Sequence, residues 1–407
     1  MIYDAIIIGG GPSGLMAANV LEKHKIKYLI LEKNDQLARK LLLTGGKRCN
    51  VTNNLSVSEF IEALNMKHKR FLYEALNRFG TKDIITFFNE RGLTLLLEQN
   101  LKYFPETHKS LSVLEALTKD LDARKILFNH AVKKLEFNND YWVVSTKETQ
   151  FKTHNVILAT GSNAYPTTGS SGDGLVFASH LGIETIPFTP AETHVYASMV
   201  KEKHSDLQGV TLKDATLYIE GTKLSFPGGV LFTHFGLSGP AVLHASEIIH
   251  HRLQEQEVYV YFSLCEMSEF DALKIYDESL SNNEFVIRFL EKVTSKRISK
   301  KIEDDLGLSA KRLKEISKAD QKRLFGYLLK FRIRIDHTES IEKAFVNAGG
   351  ISTKVIDPKT MAIKNVEGLY AIGEITDLQG PIGGFNLTIA MSTGHLAACA
   401  IAEKYNS

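Results

Sequence analysis

Only three cysteines stand in the 407 residues, Cys49, Cys265 and Cys399, far apart and without a CxxC pair. That leaves no plausible disulfide framework, and a reducing compartment is the expectation. No group of His or Cys has metal-ligand spacing and no nucleophile elbow appears, so neither a metal site nor a hydrolase is expected. No apolar run reaches the roughly 18 residues of a membrane span. The opening MIYDAIIIGGGPSG lacks a basic lead and a cleavage site. A cytoplasmic protein with no membrane partner is therefore expected. Repeats and low-complexity linkers are also missing.

What is present is ordinary globular composition, with 43% hydrophobic and 24% charged residues. The length exceeds what one hydrophobic core serves, so two or three domains are expected. Net charge is only +2. Between Lys292 and Arg334, however, 14 basic residues stand against 5 acidic ones, a surplus of nine that leaves the remainder at minus seven. Such a segment is either a solvated helical face or a grip for an anionic macromolecule such as ribosomal RNA.

Residues Asp4 to Ile8 (DAIII) read as a buried strand that runs straight into Gly9-Gly10-Gly11-Pro12-Ser13-Gly14. A helical pattern follows, then a second buried strand, YLILE, ending in Glu32, 18 residues after Gly14. Gly9 permits the tight turn, Gly11 lets backbone approach a pyrophosphate, and Gly14 lets helix and strand pack closely. The helix start offers unpaired N–H groups to phosphates, and Glu32 can accept from ribose hydroxyls. A lone GxGxxG is a weak signal; strand, fingerprint, helix, strand and acid in order make a strong one. Pattern alone leaves FAD, NAD and NADP open.

Two further regions bear on that choice. Lys40 to Asn53, KLLLTGGKRCNVTN, has the glycines, cations and small polar groups of a loop laid along a phosphate-ribityl chain, though a solvated loop has the same composition. NVILA (155–159) reads as a strand ending at Thr160-Gly161, where glycine allows close ligand approach. Near the far end, GLYAI (368–372) leads into Gly373-Glu374, Asp377, and Gly384-Phe385-Asn386, then a helix. Asp377 can accept from a ribityl hydroxyl, and the helix start can stabilise charge on a flavin N1–C2=O. A second glycine-rich turn at the far terminus suits an extended FAD better than NAD.

The strings LLLTGGKRCNVTNN, ATGSNAYPTTGSSGDG, LFTHFGLSGPAVL, NAGGIS and GLYAIGEITDLQGPIGGFNLTIAMSTGHLA resemble the bacterial family of BaiN-like or aminoacetone-oxidase-like FAD-dependent oxidoreductases, which includes a ribosomal-RNA dihydrouridine synthase. The resemblance covers nearly the whole chain. It implies an α/β fold: a glutathione-reductase-like Rossmann domain built from both chain ends (1–186 and 341–407), with an inserted β-rich domain (187–267) and a basic helical subdomain (268–340). It implies non-covalent FAD contacts at Gly9, Gly11, Ser13, Gly14, Glu32, Lys33, Gly46, Arg48, Asn50, Thr160, Gly161, Asp377, Gly384, Asn386 and Leu387, with Val132 meeting the adenine through its backbone. Pro12, Lys40, Cys49, Gly373, Glu374 and Phe385 complete the expected cofactor set. Two departures stand out: Lys47 where a third glycine is expected, and Thr388 where glutamine is usual.

Within the insert, Thr233 to Pro240 (THFGLSGP) is the most chemical stretch. His234 can deliver or take a proton near neutral pH, although a lone His beside apolar residues is more often structural. Cys49 can protonate a substrate carbon, against the plainer reading of a packed thiol. Three functions are weighed. One is an NAD(P)H-driven reductase of an electron-poor C=C, in its sharpest form uridine to dihydrouridine in 23S ribosomal RNA. Tyr327 and Phe331, interleaved with Lys330, Arg332 and Arg334, would then stack on bases or fill the core. Another is an oxidase or dehydrogenase of a small amine or enone, and the last a non-catalytic FAD-bound protein. With a single GxGxxG, NAD(P)H is expected to dock only transiently.

Overall fold

The computed structural model describes residues 1–98 and 101–406. Two compact units divide it: Met1–Thr189 with Ile341–Ser407, and Pro190–Ser340.

The first unit is a Rossmann α/β fold. Strand β1 (Ile2–Ile8) is buried at its C-terminal half, and β2 (Tyr28–Leu31) is buried throughout. Such β-branched runs bury both faces of a parallel sheet. The two pair in parallel, Ile6 against Leu29 and Ile8 against Leu31. Helix α1 (Pro12–Lys23) joins them, with Pro at its first turn and Leu15, Ala18 and Leu21 fully buried. On the other side of β1 lies the strand Gln150–Leu158. Its first half takes the hairpin strand Tyr141–Ser145 antiparallel, and its last three residues take Leu369–Ala371 in parallel. A strand from the far end of the chain thus completes the sheet begun at the near end.

The C-terminal helix (Phe385–Asn406) lies against α1. A Cβ at Gly394 would stand 2.3 Å from the Ser13 carbonyl oxygen, so glycine is what allows the two backbones to touch. The stretch Phe385–Tyr405 is long and apolar enough to cross a membrane, with mean hydropathy 1.3, contrary to the sequence reading that no run approaches that length. Of its apolar window, 72% is buried inside the fold. The scattered Thr, Ser and Gly residues disguise it in the sequence, and burial explains its apolarity.

The second unit holds a five-stranded and a four-stranded antiparallel sheet with the helices Pro240–Leu253, Glu269–Ser281, Val286–Val293, Lys296–Leu306 and Lys318–Leu329. The sequence reading splits this region at 267/268. The structure instead has one hydrophobic cluster from Val195 to Ile335, in which strand residues such as Phe262 and helix residues such as Phe289 pack together.

Candidate functional site: a two-ended cavity in the Rossmann unit

A cavity of about 570 Å³ opens in the first unit, within the range of cofactor sites. All its lining residues belong to that unit and come from both chain ends. The amino-terminal turn supplies Gly9, Gly11, Pro12 and Ser13, and β2 leads into Glu32 and Lys33. Gly14 lies beneath the wall: a Cβ there would meet the Gly9 carbonyl oxygen at 2.1 Å, which is why only glycine closes this turn. A Cβ at Gly11, by contrast, would meet nothing within 4 Å. Helix α1 has no side-chain cap, so its first N–H groups remain available to phosphate.

Glu32 is 6% exposed and organises the turn. Its Oε2 accepts from Gly10 N–H at 2.8 Å, while Oε1 accepts from the backbone and side-chain nitrogens of Asn34, both at 2.8 Å. Oε2 keeps a lone pair for a hydroxyl donor, while both lone pairs of Oε1 are taken by Asn34. Lys33 donates to Asp173 at 2.7 Å. Burial alone would raise the Asp173 pKa, but hydrogen bonds from Lys33 and Ser171 hold it below the usual carboxylate range.

The rest of the amino-terminal part adds Lys40, Gly46, Asn50, Val132, Thr160 and Gly161, and the far end adds Glu374, Gly384, Asn386 and Leu387. Lys40 donates to Glu374 at 2.8 Å, linking residues 334 apart in sequence. Gly384 has φ +85°, and a Cβ would strike the Thr52 backbone at 2.6 Å, so a larger residue cannot start the last helix here. The first turn of that helix brings Asn386 and Leu387 to the cavity wall.

Six expected contacts are placed differently. Arg48 is not part of the wall: it pairs with Glu98 and stacks 4.5 Å over the ring of Phe104. Cys49 is fully buried in the hydrophobic core, and burial pushes its thiol up to about 12. Asp377, 8% exposed, faces His68, with Oδ2 3.4 Å from Nε2. Burial raises its pKa, only partly offset by His68 and the Gly349 N–H. Phe385 packs on Phe60 at 4.6 Å. Gly373 and Gly14 are spacers behind the wall: a Cβ at Gly373 would meet Ser13 Oγ at 2.7 Å. For Arg48, Cys49, Asp377 and Phe385 the motif is at the site while the side chain meets protein partners.

Neither departure reaches the cavity wall. Lys47 has φ +73°, the left-handed conformation that makes glycine the expected residue. Thr388 is fully buried and bonded to Thr52 Oγ1 and the Gly384 carbonyl, both at 2.8 Å.

The cavity also uses residues absent from the sequence reading. Lys102 and Phe104 line it from the strand Lys102–Pro105, which pairs antiparallel with Thr52–Asn53 and Leu95–Glu98. His130 joins them, as do Tyr165, Asp173 and Ile382, which stand in the motif strings but were given no contact role there.

The residues fit FAD. Thr160 Oγ1, in the cavity wall, is buried with no hydrogen-bond partner, an orphan that a bound polar group would satisfy. Gly11 leaves an open cradle at the start of α1, and a second helix start lies at Asn386. These suit pyrophosphate and isoalloxazine respectively.

In the second unit His234 is exposed, with its ring 4.9 Å from that of Phe235. Phe331 is 3% exposed and packs on Phe232 and Phe262. Tyr327 packs on Phe331 and donates to Asp305. Neither is a free stacking surface, because the alternation of the strand Phe331–Ile335 points Phe331 inward and Arg332 and Arg334 outward. Much of the basic segment is paired, as in Lys292 with Glu284 at 2.6 Å and Arg332 with Glu220 at 2.6 Å. Lys296, Arg297, Lys311, Lys318, Lys322 and Lys330 are exposed and form no ion pair among the described residues. No group of three or more metal-ligating side chains occurs among the described residues.

The chain is similar to known proteins over nearly its whole length. The chain is 29% identical to a ribosomal RNA dihydrouridine synthase of Haemophilus influenzae, over 98% of this chain and 99% of that one. It is also 29% identical to a 3-dehydro-bile acid delta(4,6)-reductase of Clostridium scindens, over 98% of each. Among solved structures, 3-ketosteroid-delta4-(5alpha)-dehydrogenase from Rhodococcus jostii RHA1 superposes with a TM-score of 0.54 at 13% identity, covering 98% of this chain and 96% of that one. E. coli quinol fumarate reductase FrdA gives 0.52 at 15%, covering 100% and 71%. These two likenesses concern the fold alone. Residues 3–400 match the family described as HI0933-like protein Rossmann domain, and the chain belongs to that family.

Proposed function

We propose that this FAD-dependent oxidoreductase takes electrons from NAD(P)H and reduces an electron-poor C=C conjugated to a carbonyl, the uracil ring of ribosomal RNA being the sharpest candidate. The observation that carries the reading is the two-ended cavity, where the fingerprint turn and the start of the last helix open on one space. The two 29% relatives, matched over almost their full length, are both named for saturating a C=C. FAD, when bound, supplies two-electron transfer between nicotinamide and acceptor.

The chain's own residues do the rest. Gly11 and the first N–H groups of α1 would hold phosphate, and Glu32 would orient the ribose through the remaining lone pair of Oε2. Lys40 and Glu374 tie the two chain ends together at the wall. Asn386 and Leu387, in the first turn of the last helix, would offer the positive end of that helix to negative charge on a bound flavin. Unpaired cations such as Lys318 and Lys322 supply phosphate contacts for an RNA acceptor.

Anaerobic titration with NADH and NADPH, followed by ribosomal RNA or a conjugated enone, tests the reading. The flavin band should bleach with a nicotinamide and return only when an acceptor C=C is added. Bleaching by an amine alone, with peroxide formed on turnover in air, would replace it with the oxidase reading. For the RNA version, deletion of the gene should remove dihydrouridine from 23S ribosomal RNA by mass spectrometry; unchanged levels would eliminate that substrate.

A further inference from the structure

The second unit carries a group of reactive side chains on one face of its five-stranded sheet. In that sheet Tyr196 lies between Gly236 on one neighbouring strand and His337 on the other. Alternation sends Val195, Ala197 and Leu237 into the core, all fully buried, and leaves His194 and Tyr196 on the opposite face. Glu339 shares that face and is only 9% exposed. Its Oε2 accepts from the Tyr196 hydroxyl at 2.9 Å and meets His194 Nε2 at 3.1 Å, and its Oε1 accepts from the Ser340 N–H at 2.8 Å.

Rings cover the surroundings of this carboxylate. His337 stacks on Tyr196 at 4.3 Å and 13°, Phe235 lies 5.0 Å from Tyr196 and 4.5 Å from His194, and His234 stands edge-on to Phe235. His234 and His337 are exposed, while Tyr196 and Phe235 are half-buried. Aromatic area held half in water on the outer side of a sheet contributes little to the core. Here it is also organised by a nearly buried acid, which must be bonded to be tolerated. The Tyr196 hydroxyl, hydrogen-bonded to Glu339, has its pKa raised and stays a donor.

We infer that this face binds a planar, conjugated ring bearing carbonyl groups, stacked on the Tyr196–His337 pair with its carbonyl oxygens taking ring N–H donors from His234 and His337. Flat rings prefer offset stacking on such a platform. Carbonyl oxygens match a patch whose exposed polar atoms are imidazoles. The choice of ligand class rests on the proposed reduction of a conjugated C=C; the patch itself does not. Two sources share this chemistry, an unpaired uracil base and an enone metabolite.

The test uses the FAD-loaded protein and two photoreactive probes, 4-thiouridine 5′-monophosphate and 4-androstene-3,17-dione, with peptide mapping after irradiation. Label should map to the tryptic peptides 153–201, 224–252 or 335–343. His337→Ala should cut labelling about tenfold, the loss expected for one stacking partner. His337→Phe, which keeps the ring, should restore most of it. His337 is exposed, so these variants should retain the flavin spectrum, which checks the fold. Labelling by the first probe alone assigns the patch to a nucleobase, and by the second alone to an enone. Label elsewhere, or label indifferent to His337→Ala, overturns the inference. If the patch labels while no C=C is reduced, the reductase reading fails alone; if reduction proceeds and labelling is absent, the patch fails alone.

Discussion

At the scale of single residues, the cavity depends on groups whose bonds were only half visible in the sequence. Glu32 was readable as a ribose acceptor, but its role in fixing the turn through Gly10 and Asn34 was not. Replacing it with Ala leaves the Gly10 N–H without its buried acceptor. Hydrogen bonds to a charged group contribute about 1.5–3 kcal/mol each, so Glu32→Ala should weaken FAD binding at least tenfold. Reconstitution of apoprotein followed by flavin fluorescence measures this, and an unchanged affinity would remove Glu32 from the site. Cys49 runs the other way. With its thiol held neutral and sealed in the core, Cys49→Ala should keep the rate of acceptor reduction within about twofold and lower stability by about 1 kcal/mol. Stopped-flow reoxidation and a thermal melt separate the two effects; a large loss of rate with full FAD content would restore Cys49 as an acid.

At the scale of elements, the last helix does two things. Its start shapes the cavity, and its body fills the core beside α1. His395 sits on that body, its ring stacked on Phe79 at 4.4 Å and 8°. Burial depresses its pKa to about 4. Unfolded, it protonates near its ordinary value, so it contributes stability above that value. The contribution is lost as pH falls from about 6.5 toward 4, by up to about 3 kcal/mol in all. His395→Phe keeps the stack and should flatten the dependence of denaturant midpoint on pH across that window. An equally steep dependence in the variant would place the effect on other groups.

Elements also show where sequence reading stops. The strand–turn–helix–strand order around Gly9 to Glu32 was legible because glycines, period and acid constrain one another. The C-terminal strand was legible as a strand meeting the same ligand as the amino-terminal turn, but its pairing with Gln150–Leu158 was not. Side-chain direction was not legible. Arg48 and Asp377 lie in motif strings whose backbones approach the cavity, yet both point to protein partners, because direction follows from local φ, ψ and rotamer rather than from spacing. Lys102 and Phe104 were missed for the converse reason: a four-residue strand with no glycine signal enters the wall through pairing with Thr52–Asn53, a contact distant in sequence.

For the whole molecule, one chain supplies a cofactor unit made from its two ends and an inserted unit with its own core. The insert's buried residues form a single cluster, so its strands and helices cannot be separated, and the charge surplus of its helices sits on the outside of that core. Tyr327 and Phe331 illustrate the difficulty of reading such a segment from composition: beside arginines they resemble a stacking surface, and in the fold they are packing. The most direct measurement of the central claim is the FAD content of the purified protein, released by denaturation and quantified against chain concentration. One FAD per chain is expected, retained through gel filtration or regained on incubation with the cofactor. A colourless protein that takes up no FAD from excess would contradict the joint cavity and the redox function built on it.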